Sequence, residues 1–270
     1  MRIAVTGGSG KLGAVVVDYL KDAGHDILSL DRVGTRGEGF LVVDFTDYGQ
    51  VVDALHGFDA VVHLAAIPAP GIAPEVETFH NNMLSTFNVF QAARRVGIST
   101  IVYASSETLL GIPFDIDPPY VPLDEDYDSR PESMYAVVKH LEEELAQKLV
   151  RWDSALSITA LRFSNVMVEA DYAGFADFTP ESRKWNLWGY IDARDAAQAV
   201  LLSLVRAKPG FDRFVIANAD TVLEVPNSEL LAVHYPTVEV RGDIGEHDTL
   251  LSIAKARREL GYEPKFGWRS

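Results

Sequence analysis

Tyr135 and Lys139, four residues apart in a chain of 270, carry the sharpest chemical suggestion in this sequence. On a helix that spacing sets both side chains on a common side, one turn apart. A phenol near pKa 10 is a poor base at neutral pH, and lowering it by about 3 units takes roughly 4 kcal/mol of preferential stabilisation of the phenolate. A neighbouring ammonium can supply that. With 10 tyrosines and 8 lysines, about 0.3 such pairs arise by chance, so the pair alone decides little. Its setting adds weight, because the upstream run Ile101-Val-Tyr-Ala-Ser-Ser106 reads as a strand ending in two serines. Tyr135 would exchange a proton with a substrate oxygen that Ser106 holds in place.

The partner for such proton chemistry is suggested by the first thirteen residues. Arg2 to Thr6 reads as a short buried strand, and Gly7, Gly8, Gly10 and Gly13 then turn the backbone into an apolar helix near Leu12. That is the dinucleotide fingerprint, in which Gly7, Ser9, Gly10, Lys11, Leu12 and Gly13 would surround a pyrophosphate at a helix N-terminus. A second strand, Ile27 to Asp31, ends in an acid eighteen positions past Gly13, near the spacing at which a carboxylate meets the adenosine ribose. Asp31 favours NAD, since a 2′-phosphate about 4 Å away would be repelled by roughly 4 kcal/mol at an effective dielectric near 20. Arg32 could offset that repulsion, which keeps NADP as the alternative cofactor. Lys139 would bond the nicotinamide ribose while hydride moves to or from the ring.

These residues need a scaffold that gathers them at one edge. Strands are expected near 2–6, 27–31, 40–43, 59–64 and 99–104, with helices near 12–23, 47–56 and 75–97. The alternation predicts an α/β fold, a Rossmann doubly wound parallel sheet with a small C-terminal substrate lobe. We divide the chain into a dinucleotide domain, 1–163 plus 191–209, and a lobe, 164–190 plus 210–270, which takes in the run Phe214-Val-Ile216. Asp44 and Phe45 end the third strand, where Asp44 either accepts from the adenine amino group or caps the next helix. Small residues after His63, including Leu64 and Ala65, would let a dinucleotide cross closely, and His63 itself reads as a core imidazole. In the 75–97 helix, Val76, Phe79, Met83, Phe87 and Phe90 trace a core face, with Phe87 and Phe90 bulky enough to help a dimer interface. Asn82 among them is either exposed or satisfies a buried group at the sheet edge. The Pro- and Asp-rich loop from Gly111 to Arg130 is long enough to face a substrate. After Pro131 a helix with Met134, Val138, Leu141, Leu145 and Leu149 on one face is expected. Another runs from Ser252 to a stop at Gly261. Arg183 and Lys184, beside Trp185 and Trp188, are candidates for a substrate carboxylate or phosphate.

Composition excludes several alternatives. The formal net charge of −15 argues against nucleic acid and anionic membranes, which need a basic surface. Without cysteine there is no thiol nucleophile, disulfide or thiolate metal site, and no metal is expected. No apolar stretch of about 18 residues suggests a membrane span, so a cytoplasmic protein is expected.

At this point the chain resembles the extended, epimerase/dehydratase-like branch of the short-chain dehydrogenase/reductases. The resemblance runs through Thr6 to Gly13, Asp31, Asp44-Phe45, His63 to Ala66, Asn82, Tyr103 to Ser106, Tyr135 and Lys139, Arg162 to Val166, and Gly189 to Asp195. It implies Ser106, Tyr135 and Lys139 as the catalytic triad, Asn82 among the cofactor residues, and Asn165 with Glu107 at the substrate face. It also implies a homodimer paired through the 75–97 and 132–151 helices. Two departures narrow the substrate. Met167-Val-Glu-Ala follows Asn165-Val166 where nucleotide-sugar members usually have Tyr-Gly-Pro, and Glu107-Thr-Leu-Leu-Gly111 follows Ser106 where they commonly have Val-Tyr-Gly. With little chain left for a nucleotide handle, the sequence is most similar to the short uronate and aldose dehydrogenases. The leading expectation is therefore an NAD(P)-dependent oxidoreductase acting on a hydroxyl of a small sugar or sugar acid, including the anomeric one. A redox-neutral sugar epimerase or dehydratase is the alternative, and a non-catalytic dinucleotide sensor the third.

Overall fold

The computed structural model describes residues 1–34, 37–114 and 116–269. Seven strands form one parallel sheet: β1 (Arg2–Thr6), β2 (Asp26–Asp31), β3 (Phe40–Val42), β4 (Ala60–His63), β5 (Thr100–Ser106), β6 (Ser157–Phe163) and β7 (Gly210–Ile216). Their spatial order is β7-β6-β5-β4-β1-β2-β3. Between β1 and β4 the order reverses direction, and open parallel sheets of this kind carry a crevice there, beyond the carboxyl ends of the strands.

The central strands are buried along their length, as the helical layers on both faces demand. Ile3 and Val5 of β1 point to one side, against Val16 and Leu20 of α1 (Lys11–Asp22) and Val200 of α5 (Ala193–Arg206). Ala4 points to the other, in a cluster with residues of α2 (Tyr48–Leu55), α3 (Glu75–Val96) and α4 (Met134–Trp152). Among the described residues no helix is long and apolar enough to cross a membrane.

The smaller part sits over the carboxyl edge and is stitched by short parallel pairs, Val166–Met167 with Ile191–Asp192 and Tyr120–Val121 with Glu239–Val240. The loop that leads to α4 is held at Leu123, whose amide donates to Leu250 and whose carbonyl accepts from Ser252, at 2.9 and 2.7 Å. The helices α6 (Asn227–His234) and α7 (Ala254–Leu260) complete it, and Gly261 ends α7 in the left-handed region.

Three expectations from the sequence need correction. Phe214-Val-Ile216 belongs to the main sheet as the end of β7, paired in register with Leu161 to Phe163, and not to the lobe. The first half of β7 is only half-buried, as befits an edge strand, so the run looked too short for the core. In α3 the face taken for core is turned outward: Val76, Phe79 and Phe87 are exposed, while Thr78, Asn82, Ser85, Thr86 and Asn88 face inward. Phe90 alone of the aromatics in that stripe is buried, edge-on to Tyr103, which removes it from any dimer surface. In α4 the buried face is Tyr135, Val138, Lys139, Glu142, Glu143, Ala146 and Leu149, so Leu141 is exposed where the apolar spacing had placed it inside.

Candidate active site

A cavity of about 720 Å³ lies along the carboxyl edge of the sheet. The glycine turn, Asp31, Arg32, Asp44 and Phe45 line one end, Leu64 and Ala65 the middle, and Ser106, Glu107, Tyr135, Lys139, Asn165 and Trp185 the other. Residues far apart in sequence thus share one space.

At the turn, a Cβ on Gly13 would stand 2.0 Å from the Gly7 carbonyl oxygen, so only glycine lets α1 lie this close to β1. A Cβ on Gly10 would meet only that same oxygen, at 3.2 Å, and would otherwise fill the cavity's edge. The N-terminus of α1 has no side-chain cap and no acid in its first turn. Free N–H groups at a helix N-terminus beside an open cradle suit a pyrophosphate. The Asp31 carboxylate accepts from the Ser9 and Arg32 amides at 2.9 and 2.7 Å, which fixes it at the far end. A dinucleotide therefore fits the residues present, with Asp31 for the adenosine ribose and Lys139 for the nicotinamide ribose; bound there, it would supply the hydride acceptor or donor.

Not every expected contact faces this space. Asn82 is fully buried, with its amide bonded to both the N–H and the carbonyl of Ile67, at 2.8 and 3.0 Å. It fixes the loop after β4, while Asn81 and Ser85 reach the cavity instead. Asp44 lines the cavity but spends one carboxylate oxygen on the Thr46 amide and hydroxyl, so it also orders its own turn. Lys11 reaches across to the smaller part, pairing with Asp171 at 2.8 Å. Arg183 does not line the cavity. It is buried behind the wall between the Phe178 and Trp185 rings, at 4.8 and 5.1 Å, and donates to the Gly189 carbonyl.

The catalytic candidates converge. Ser106 Oγ accepts from the Thr108 amide at 3.2 Å and bonds the Thr108 hydroxyl at 3.0 Å, and its own hydroxyl meets the Tyr135 phenol. Lys139 Nζ donates to the Ala104 carbonyl at 2.8 Å and to Glu142 at 2.9 Å, leaving one N–H for a ligand. The sequence had suggested a phenol acidified by this lysine. Burial lifts the Tyr135 phenol above its ordinary value, and Lys139 and Ser106 pull it only part of the way back. Much of the lysine's charge is already balanced by Glu142.

Glu142 is the residue that sequence reasoning missed. Its other oxygen accepts from the Thr86 hydroxyl at 2.7 Å. Having given its proton to Glu142, Thr86 must accept from His63 Nε2, at 3.0 Å, so His63 Nδ1 accepts from the Thr6 hydroxyl at 2.7 Å. Thr6 in turn accepts from the Leu64 and Ala65 amides. A directional polar chain thus runs from the glycine turn to Lys139. His63 is a core imidazole as expected, pressed down to about 3 by burial and then by Lys139. Beside it, Arg162 grips Glu143 through two bonds of 2.9 and 2.8 Å, and Glu143 also accepts from Ser105. An arginine inside an otherwise apolar strand was the available signal, since a buried charge requires a partner.

Glu107 closes the substrate end. Ser164 donates to one of its oxygens at 2.5 Å and Asn186 to the other at 3.2 Å. Burial pushes its carboxyl up to about 7, against the bonds from Ser164 and Asn186 and the charge of Arg183.

Comparison with known proteins agrees with this geometry. The model of the NAD dependent epimerase/dehydratase family matches residues 3–217. A UDP-glucose 4-epimerase of Corynebacterium glutamicum is 26% identical, the alignment covering 98% of this chain and 91% of that protein. An L-arabinose 1-dehydrogenase (NAD(P)(+)) of Haloferax volcanii is 36% identical over 105 residues, 39% of this chain and 41% of that protein. The crystal structure of UDP-N-acetylglucosamine 4-epimerase from Bacillus cereus superposes with a TM-score of 0.74 at 26% identity, covering 99% and 95% of the two chains.

Proposed function

The chain belongs to the NAD-dependent epimerase/dehydratase family, and we propose that within it the protein works as an NAD-dependent oxidoreductase on a hydroxyl or carbonyl of a small sugar or sugar acid. One observation carries the reading: Ser106, Tyr135 and Lys139 meet at the end of a cavity whose other end is a glycine turn with an uncapped helix N-terminus. In the oxidising direction the substrate O–H loses its proton to the Tyr135 oxygen, Ser106 holds the substrate oxygen, and Lys139 favours the phenolate. The dinucleotide held by the glycine turn, Asp31 and Lys139 would supply the acceptor for the substrate's C–H hydrogen as hydride. Asp31 supports NAD over NADP.

The second reading, a redox-neutral epimerase, is supported by the activities in the names of two of the relatives above. Cofactor turnover separates the two. We expect NADH to accumulate with free sugars or sugar acids, and Tyr135→Phe to lower kcat at least about 100-fold while calorimetry finds NAD binding intact. Interconversion of a UDP-sugar on retained NAD without NADH release would reject the oxidoreductase reading.

We also propose a homodimer paired through α3 and α4. Val76, Phe79 and Phe87 with Leu141 leave an apolar outer face on adjoining helices. Light scattering at micromolar concentration should give twice the mass of the 29.7 kDa chain; a monomer would reject the pairing.

A further inference from the structure

We infer that the substrate is an uncharged free sugar and that Glu107 selects against sugar acids and diphosphate-linked sugars; this rests on the oxidoreductase reading and names its substrate class. The argument begins with the cations. Among the described residues, the basic side chains lining the cavity are Lys11, Arg32 and Lys139. Arg32 adjoins Asp31 at the adenosine end. Lys11 is paired with Asp171, and Lys139 with Glu142 and the Ala104 carbonyl. No described cation is left at the substrate end to neutralise a carboxylate or a diphosphate, which bind tightly where charge-assisted donors meet them.

What does line that end is an acid, a hydroxyl, an amide and an indole: Glu107, Ser106, Asn165 and Trp185. Glu107 is 4% exposed, and its carboxylate oxygens are oriented by Ser164 and Asn186. The Asn165 backbone amide is a third donor to this carboxylate, so one of its four lone pairs remains for a sugar hydroxyl. Arg183, the cation nearest to hand, lies behind the wall, its guanidinium bonded to the Gly189 carbonyl and sandwiched between two rings. It balances Glu107 from the rear without entering the cavity. A sugar hydroxyl can donate to this carboxylate, and the Trp185 ring offers an apolar face for the sugar's C–H groups. Above about pH 7, where the Glu107 carboxyl is ionised, a uronate or phosphate would meet a like charge in a desolvated space.

The test is NADH formation at about pH 8.5, where Glu107 is ionised, by the wild-type protein with matched pairs, galactose with galacturonate and glucose with glucuronate, and with UDP-glucose. We expect kcat/KM for each neutral sugar accepted to exceed that of its uronate by at least about tenfold. Glu107→Gln should shrink that ratio at least about fivefold by raising uronate turnover, a change that damage to the fold alone would not produce. The wild-type ratio stands even if the variant fails to fold. NADH formation with uronates favoured or equal, or an unchanged ratio in folded Glu107→Gln, overturns the inference and leaves the oxidoreductase reading intact. NADH from none of the substrates overturns both, whether or not UDP-glucose is interconverted.

Discussion

Replacing Glu142 by glutamine keeps the size of the side chain and removes its charge. The consequence can be worked from the geometry. Lys139 Nζ stands 2.9 Å from the carboxylate, with the two side chains 3% and 0% exposed. At an effective dielectric near 20 the attraction at that distance is about 6 kcal/mol. The cost of breaking a buried pair from one side is commonly about 3–5 kcal/mol, because the remaining charge is left without a partner. Lys139 has an escape, which is to release its proton. Burial pushes its ammonium down most strongly of any one cause, and Glu142, Tyr135 and Glu143 together push it up by more, so that it stands above its ordinary value; without Glu142 the largest of the upward pushes is lost.

Both routes predict measurable changes. Stability should fall by about 3–4 kcal/mol, or on the order of 10 °C in Tm for a chain of this size. With Lys139 neutral the Tyr135 phenol loses the charge that pulls it down, so the rise of kcat/KM with pH should shift to higher pH. Lys139→Met combined with Glu142→Gln should recover part of the lost stability, since removing both charges leaves neither stranded. Thermal scans on both variants and a pH-rate profile of Glu142→Gln supply the readings. A Glu142→Gln protein melting within about 2 °C of wild type with an unmoved profile would refute the charge-balancing role.

Two other predictions concern the ends of the cavity. Asp31→Asn keeps an acceptor for the Ser9 amide but removes the repulsion of a 2′-phosphate, so the NAD to NADP ratio of kcat/KM should fall at least about tenfold; an unchanged ratio would remove Asp31 from the selection. Glu107 and His63 should tilt stability in opposite directions with pH. The imidazole, pressed to about 3, gives stability that is full above the unfolded value near 6.5 and is lost as pH falls toward 3. The carboxyl, raised to about 7, gives stability that is full below about 4.5 and is lost as pH rises through 7. Each slope is about 1.4 kcal/mol per pH unit, so the two cancel between roughly pH 4.5 and 6.5. Urea unfolding of Glu107→Gln should therefore show stability relative to wild type improving by about 3 kcal/mol from pH 4.5 to 7, and a pH-independent difference would contradict the raised carboxyl.

Much of the sheet and the chemical triad was legible because local signals coincide there. Arg2–Thr6, Ala60–His63 and Thr100–Ser106 are buried on both faces and read as short apolar runs. Gly13 has no alternative at 2.0 Å from a carbonyl oxygen. What stayed hidden depends on partners distant in sequence. Nothing near Glu142 announces Thr86, fifty-six residues away, and helical spacing alone suggests that Leu141 is the inward neighbour. Asn82 was marked as a cofactor residue because its position resembles one, yet its bonds go to Ile67. Arg183 sat correctly beside Trp185, but only the fold shows that this ring and Phe178 enclose it away from the cavity.

The seam between α3 and α4 explains both kinds of error at once. A helix normally turns its apolar stripe to the core, and the 75–97 segment has such a stripe. Here α3 instead turns Thr78, Asn82, Ser85, Thr86 and Asn88 inward, because the Ile67 carbonyl after β4, the carboxylate on α4 and the Phe45 carbonyl beyond β3 all need donors. Each of those buried polar atoms would be costly alone, yet bonded in sequence they fix register and side-chain direction along the edge of the cavity. The apolar stripe is then displaced to the outside, where Phe79 and Phe87 stand exposed. Orienting Glu142 through Thr86 and leaving an apolar face uncovered are thus two consequences of one rotation of α3 about its axis: the turn that brings Thr86 to the counter-charge of Lys139 carries Phe79 and Phe87 outward, while Phe90 stays in the core.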